Sequence, residues 1–371
     1  MCQFIVFLPY LCRQIQITMD IKILTNEAVE LLERLIETPR VSREETAAAD
    51  LLQAWMTERG MEPQREGNNL WSIAPGFDAG RKTLLLCAHI DTVKPASGWT
   101  REPHKAQREG NRLYGLGAND DGASLVSLLQ VYRILSEKSQ EYNIVMLASA
   151  EEEVSGRNGA ELALTLLPHI DVALVGEPTG MQPAIAERGL MVLDCTAHGR
   201  SGHAARNEGD NALYHAIDDI QWLRTKVWGE ESSLLGRTKT TVTMIDCGTQ
   251  HNVVPDRCHF VVDVRTNEMH SNEEILKEIS SHLKSDVVAR STRLSSSRIG
   301  LEHPLVRRAV EFGRKPFGSP TLSDQALMHC PSLKMGPGES SRSHTADEYI
   351  ELHEISEAIE LYVRLLDGLE L

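Results

Sequence analysis

The chain has 371 residues, a formal net charge of −15, 41% apolar residues and 25% charged ones. That length supports two domains, each able to bury a core, and the composition is that of a globular protein rather than a disordered or fibrous one. The acidic balance speaks against a nucleic-acid or anionic-membrane partner, which would reward a basic face; it suits cationic substrates or metal ions, and is also an ordinary property of soluble proteins.

Residues 1–18 open with "MCQFIVFLPYLC", apolar but too short to span a bilayer. The segment lacks the charged n-region and small-residue cleavage site of a signal peptide, which is the weaker alternative. Met19 stands just before "DIKILTNEAVELLERLIETP", where amphipathic sequence begins, so 1–18 read as an N-terminal extension. The spacing of Val29, Leu32 and Ile36 predicts a first helix, capped near Asn26 and stopped by Pro39. A second helix is expected over Ala47–Met56, ending at Gly60. Apolar runs at 83–88, 143–149 and 171–176 then alternate with helical stretches at 122–136 and 157–166. That order predicts an α/β domain with a largely parallel sheet.

The middle of the chain follows another rule. "LMVLDCTAHG", "NALYHAIDDIQWL", "TTVTMIDCG", "CHFVVDVRT", "NEEILKEISSHL" and "DVVARSTRL" read as β-α-β-β-α-β, the ferredoxin-like split-βαβ arrangement. Helix, strand and helix signals resume after about residue 294. The expected organisation is a discontinuous α/β domain, 19–182 and 293–371, with a small domain inserted at 183–292. Seven cysteines (2, 12, 87, 195, 247, 258 and 330) form no CxxC or other metal-ligand spacing. They read as reduced, mostly buried thiols, which favours a cytoplasmic setting.

Polar residues gather where the apolar runs stop. "LLLCAHIDT" ends in His89 and Asp91, "MLASAEEE" in Glu151, Glu152 and Glu153, and "VALVGEPT" in Glu177. Open α/β sheets bind ligands beyond the carboxyl ends of their strands, so three strand ends deliver these groups to one rim. Between them, "GLGANDDGAS" sets Asp120 and Asp121 on a glycine-bracketed turn, and "GPGESSRSHTADEY" offers His344. Each element alone has a bland reading. The HxD is one of many histidine contexts, the glycine turn fits an Asx-turn, and the glutamates fit a solvated helix start. Together, imidazoles and carboxylates without thiolates suit zinc, cobalt or manganese. Two such ions would hold the glutamates together and lower the pKa of a shared water.

These motifs, with "AEEEVSGRNGA", "GRSGHAA", "NVVP", "DVR" and "SD", resemble the di-zinc aminoacylase/carboxypeptidase family, which includes acetylornithine deacetylase and succinyl-diaminopimelate desuccinylase. The resemblance runs from about Glu27 to Leu366. It implies a zinc-peptidase-like catalytic domain whose insert at 183–292 serves dimerisation. It implies metal ligands at His89 and Glu177 for one ion, Glu153 and His344 for the other, and Asp120 between both. Asp91 would orient His89, Glu152 would be the general base, and His203 would stabilise the oxyanion. Asn252, Arg265 and the Gly338 backbone would bind substrate, with Arg265 on an α-carboxylate. The chain departs from the family in Asp121-Gly122 after the bridging carboxylate, in Glu151 where Asp is usual, and in Ser343 where Ala is usual.

The activity implied is removal of the acyl group from an N-acyl amino acid, most similar to N-acetylornithine in arginine biosynthesis. Acyl-citrulline, acyl-lysine and succinyl-diaminopimelate remain alternatives, as does a dipeptidase or carboxypeptidase. A non-catalytic, metal-stabilised binding protein is the other class, though neither a ligand nor Glu152 is lost. The partners expected are the small-molecule substrate and a second copy of the chain.

Overall fold

The structure is a computed structural model describing residues 21–206 and 208–371. The N-terminal extension, with Cys2 and Cys12, lies outside the described residues. Two compact units emerge: one takes the chain up to Ile185 with Ile299–Pro316 and Met328–Leu371, the other Ala186–Arg298 with Phe317–Leu327.

In the first unit, strands Asn143–Ser149, Thr83–His89, Val172–Val175 and Ser332–Lys334 are neighbours in that order, all parallel. Thr83–His89 and Asn143–Ser149 are buried at every residue, as parallel strands covered on both faces are. One edge is antiparallel instead. Asn69–Ile73 pairs with Asn143–Ser149 and, through a turn at Gly67 (φ +58°), with Gln64–Glu66. Helix Ala123–Ser136 is buried along most of its length and packs against Leu352–Leu366.

Two helix expectations change. Residues 21–36 are helical, so Asn26 is not a cap; it is exposed inside the helix, one residue after Thr25, whose hydroxyl donates to the Ile21 carbonyl at 2.7 Å. The helix expected over 157–166 shrinks to Ala160–Leu164. Its first turn is taken by the glutamate loop, which folds so tightly that a Cβ on Gly159 would lie 1.9 Å from the Ala150 carbonyl oxygen.

The second unit runs Met191–His198, Ala212–Thr225, Lys239–Cys247, Arg257–Arg265, Asn272–His282 and Asp286–Ala289. Its sheet order is Lys239–Cys247, Arg257–Arg265, Met191–His198, Asp286–Ala289, antiparallel throughout. Burial alternates along Met191–His198, so one face packs on the core of Leu193, Ala216, Phe260 and Ile279. Residues 317–327 belong here rather than with the C-terminal part of the larger domain. The Ser323 hydroxyl donates to Glu187 at 2.8 Å, and a Cβ on Gly318 would meet the Leu234 carbonyl at 2.4 Å. Among the described residues, no helix is long and apolar enough to cross a membrane.

Candidate metal centre

His89 is the last residue of its strand and is buried. Its Nδ1 lies 3.0 Å from the Asp91 carbonyl oxygen and 3.5 Å from Asp91 Oδ1, which leaves Nε2 facing outward, 3.1 Å from Asp120 Oδ1. Asp91 is fully buried and does more than orient an imidazole. Its carboxylate accepts the Ser42 hydroxyl at 2.7 Å and the backbone N–H groups of Glu152 and Glu153 at 3.0 and 3.1 Å. Burial opposes its charge, but the bonds from His89, Ser42 and Glu152 outweigh burial and hold the carboxyl below its usual range. One residue therefore sets both, the histidine chiefly through its carbonyl and the glutamate turn through its carboxylate.

Asp120 divides its two oxygens. Oδ1 faces His89, and Oδ2 lies 3.6 Å from His344 Nε2. His344 also sits 3.0 Å from Glu153 Oε1. Among the described residues, two sets of donor atoms lie within 4.8 Å of one another: His89, Glu152 and Glu153, and Asp120, Glu153 and His344. Glu177 is in neither set. It stands two residues beyond the strand Val172–Val175, where burial first, then Asp120 and Asp121, push its carboxyl well above the usual range against the pull of Lys334. Burial likewise pushes Asp121 up to about 8.

The third glutamate is a structural group. Glu151 has a left-handed backbone (φ +55°), is buried, and accepts the Asn158 amide at 3.1 Å. A Cβ on Gly156 would lie 2.5 Å from the Cβ of Glu151, which cannot swing aside, so this turn needs glycine there.

Two further side chains hold the rim. Glu348 is buried and accepts three backbone N–H groups, from Gly117 (3.0 Å), Asn119 (2.8 Å) and Asp120 (2.9 Å), so it fixes the turn that presents Asp120. Arg40 donates to the carbonyls of Ile90 (2.8 Å) and Gly117 (2.9 Å) and so ties the His89 strand end to the same turn. Glu348 lay inside the quoted "SHTADEY"; Arg40 follows Pro39 in a stretch with no motif. Gly338 (φ +81°) packs on Asn119, where a Cβ would lie 2.2 Å from Oδ1, which gives this glycine a structural reason beside any substrate contact.

The donor chemistry fits divalent cations. Asp91, Asp120, Asp121, Glu152, Glu153, Glu177 and Glu348 crowd one rim with Arg40 and Lys334 as buried cations. Such a set is costly to ionise in a low-dielectric site without added positive charge. Imidazole nitrogens and carboxylate oxygens converge at about the separations that ligands of one ion keep.

The remaining expected residues lie in the second unit. His203 is exposed and its segment bridges to Val253; Asn252 is exposed, and its carbonyl accepts the Ala204 N–H at 3.0 Å. Arg265 is half-buried, and Asp263 engages its Nε and Nη2 at 2.9 and 3.1 Å, leaving Nη1 outside that pair.

The chain is similar to known proteins in sequence and in fold. The chain is 26% identical to acetylornithine deacetylase of Proteus mirabilis, over 94% of this chain and 98% of that protein. It is 27% identical to that of Shigella sonnei, over 91% and 96%. Its fold matches aminopeptidase PepT from Bacillus cereus with a TM-score of 0.73 at 19% identity, covering 92% of this chain and 98% of the other. It also matches the Bacillus subtilis YXEP protein, a dinuclear metal binding peptidase, with a TM-score of 0.70 at 15% identity, covering 93% and 98%. A sequence profile of peptidase family M20/M25/M40 matches residues 85–368, a span that holds every rim residue from His89 to His344. The chain belongs to the peptidase family M20/M25/M40.

Proposed function

We propose that the chain is a metal-dependent amidohydrolase that deacylates an N-acyl amino acid, N-acetylornithine or a close analogue of arginine biosynthesis. The observation that carries this reading is Asp91, which holds His89 and the Glu152–Glu153 turn at once and so sets Glu152, the proposed proton acceptor, beside Glu153, a proposed metal ligand. The acetylornithine deacetylases named above, matched along most of their length, support the substrate class.

His89, Asp120 and Glu177 would hold one divalent cation, and Asp120, Glu153 and His344 the other, with zinc, cobalt or manganese compatible with these donors. When bound, the pair supplies Lewis acidity and a water of lowered pKa. Glu152 takes the proton of the attacking water and returns it to the leaving amine nitrogen. Arg265, fixed on one edge by Asp263, meets the α-carboxylate, with Asn252 and the Gly338 backbone completing substrate contacts.

The proposed assembly is a twofold dimer in which His203 of the partner subunit stabilises the oxyanion. The exposure of His203 on the inserted unit supports this, as does the family resemblance. A cytoplasmic setting goes with it, because Cys87, Cys195, Cys247, Cys258 and Cys330 are free thiols.

The test is a hydrolysis panel of N-acetyl and N-succinyl ornithine, citrulline and lysine, succinyl-diaminopimelate, and dipeptides, with the metal content of the same sample measured. N-acetylornithine or a close analogue should give the highest kcat/KM. A preference for dipeptides would move the assignment to a dipeptidase. No turnover of any amide by metal-loaded protein would leave a binding protein.

A further inference from the structure

Two of the scattered cysteines meet. Cys247 ends the strand Lys239–Cys247 and is paired directly with Cys258 on Arg257–Arg265. Directly opposed residues of an antiparallel pair have Cα atoms about 4.5 or 5.5 Å apart, and either spacing falls within the roughly 4.4–6.8 Å that a disulfide spans. Both side chains pack on the core face of the sheet, neither thiol is in a disulfide, and Cys247 Sγ donates to the carbonyl of Arg257, the residue next to Cys258, at 3.4 Å.

Their surroundings differ. Cys258 is fully buried, while Cys247 is half-buried and borders a cavity of about 430 Å³ that is also lined by Ser201, Asp246, Arg257 and His259. A small reagent therefore has a route to one sulfur only. Burial, then the contact with Cys247, pushes the Cys258 thiol up to about 12, which makes it a poor first nucleophile.

We propose that Cys247 and Cys258 form a reversible dithiol–disulfide pair, exchanging with small-molecule disulfides, that staples the base of the Gly248–Arg257 loop. In the first step the Cys247 thiolate attacks one sulfur of the small disulfide. The old S–S bond breaks, and its other half leaves as a thiolate that takes up a proton. In the second, Cys258 gives up its proton and attacks Cys247 Sγ, releasing the second half as a thiol. The pair loses two electrons and two protons, and the small disulfide becomes two thiols. The fixed proximity of Cys258 compensates for its low thiolate fraction.

The staple sits where it can be felt. The loop carries Asn252, whose carbonyl accepts the Ala204 N–H at 3.0 Å, and Val253 bridges to His203. Restraining the base of the loop restrains both segments. The effect on turnover rests on the proposed function; the cross-link itself does not.

The experiment equilibrates full-length, metal-loaded protein over a series of oxidised-to-reduced glutathione ratios, quenches with an alkylating agent and maps the peptides. A Cys247–Cys258 linked peptide should accumulate with the loss of one thiol pair per chain, and dithiothreitol should reverse it. Cys247→Ser should give no such link. Cys258→Ala should trap glutathione on Cys247, which keeps the inference testable if either variant is less stable. In the oxidised protein, amide exchange over Gly248–Arg257 should slow by about tenfold. Both cysteines alkylated, or each carrying its own glutathione, across the whole series would overturn the pair. Unchanged exchange in the linked protein would overturn the staple. If the link forms but no form of the protein hydrolyses an N-acyl amino acid, the hydrolase assignment fails alone; sound turnover without the link fails the pair alone.

Discussion

In the first unit, the residues proposed for chemistry are tied by buried groups; in the second, half-buried Arg265 is held by Asp263, while His203 and Asn252 depend on bonds to exposed backbone. Asp91, Glu348 and Arg40 are buried and fix His89, the Glu152–Glu153 turn and the Asp120 turn through hydrogen bonds of 2.8 to 3.1 Å. His203 and Asn252 are exposed, and what holds them is a β-bridge, the Ala204–Asn252 backbone bond and the Ala205 N–H, which donates to His203 Nδ1 at 3.1 Å. The difference has an energetic meaning. Removing one member of a buried polar network strands its partners without hydrogen bonds, so a change at the rim disturbs metal ligands as well as its own position. A change at the exposed loop leaves nothing buried behind. The comparison therefore separates effects that travel with the metal from effects on rate alone.

The largest effect should come from removing the metal. Treatment with a chelator is expected to abolish amide hydrolysis, and divalent ions should restore it. His89→Ala and His344→Ala should each lower occupancy toward one ion per chain, because each imidazole belongs to a different donor group. Elemental analysis beside the activity assay checks both, and full turnover by verified metal-free protein would break the assignment.

Next in size is the base. Glu152→Gln keeps the backbone N–H that Asp91 accepts but cannot take a proton. A fall in kcat of at least about 100-fold is expected, with both ions retained. If Glu152→Gln emptied a site while Glu153→Gln did not, the division of roles between these glutamates would be reversed.

Much of this arrangement was legible in the sequence, for a physical reason. Strands buried on both faces show as continuous apolar runs, so their ends, and the polar groups placed there, can be read directly. That is why His89, Glu153 and Glu177 could be expected at one rim from strand ends alone, whereas Asp120 and His344, on a turn and a loop, owe their expected roles to the family resemblance. The structure brings His89, Asp120, Glu153 and His344 together and leaves Glu177 outside both donor sets. Hydrogen bonds from a side chain to distant backbone leave no such trace. Nothing near Arg40 signals that it reaches Gly117, and nothing in "DEY" signals that Glu348 holds three amides. The antiparallel edge at Gln64–Ile73 was missed because two short strands joined at Gly67 carry too few residues to show a period. Residues 317–327 were misplaced because membership of a unit depends on contacts with Glu187 and Leu234, far away in sequence.

The second unit supplies a prediction of intermediate size. Glu152→Ala and His203→Ala homodimers should both be nearly inactive. Refolded together, half of the dimers are mixed, and each mixed dimer regains one complete site of two, so activity should recover to roughly a quarter of wild type. Mass spectrometry of tagged chains verifies the exchange. Verified mixed dimers without recovered activity would show that His203 serves its own chain or serves no catalytic role.

The smallest effects discriminate best between the two kinds of tether, and Glu348→Gln against Asn252→Ala measures them. An amide at 348 keeps one oxygen for Asn119 and Asp120 but turns an NH₂ toward the Gly117 N–H, leaving a buried donor unsatisfied. The cost is about 1–3 kcal/mol, and it falls on the turn that presents Asp120. Glu348→Gln should therefore lower Tm and weaken metal binding, and saturating metal should restore most of kcat. Asn252→Ala removes an exposed side chain whose backbone carbonyl still accepts the Ala204 N–H, so Tm and metal content should stay at wild-type values while KM rises. Titrating metal into both variants while following turnover separates the two cases. If added metal rescued Asn252→Ala, or failed to move Glu348→Gln, the distinction between side-chain and backbone tethering would not describe how these units work.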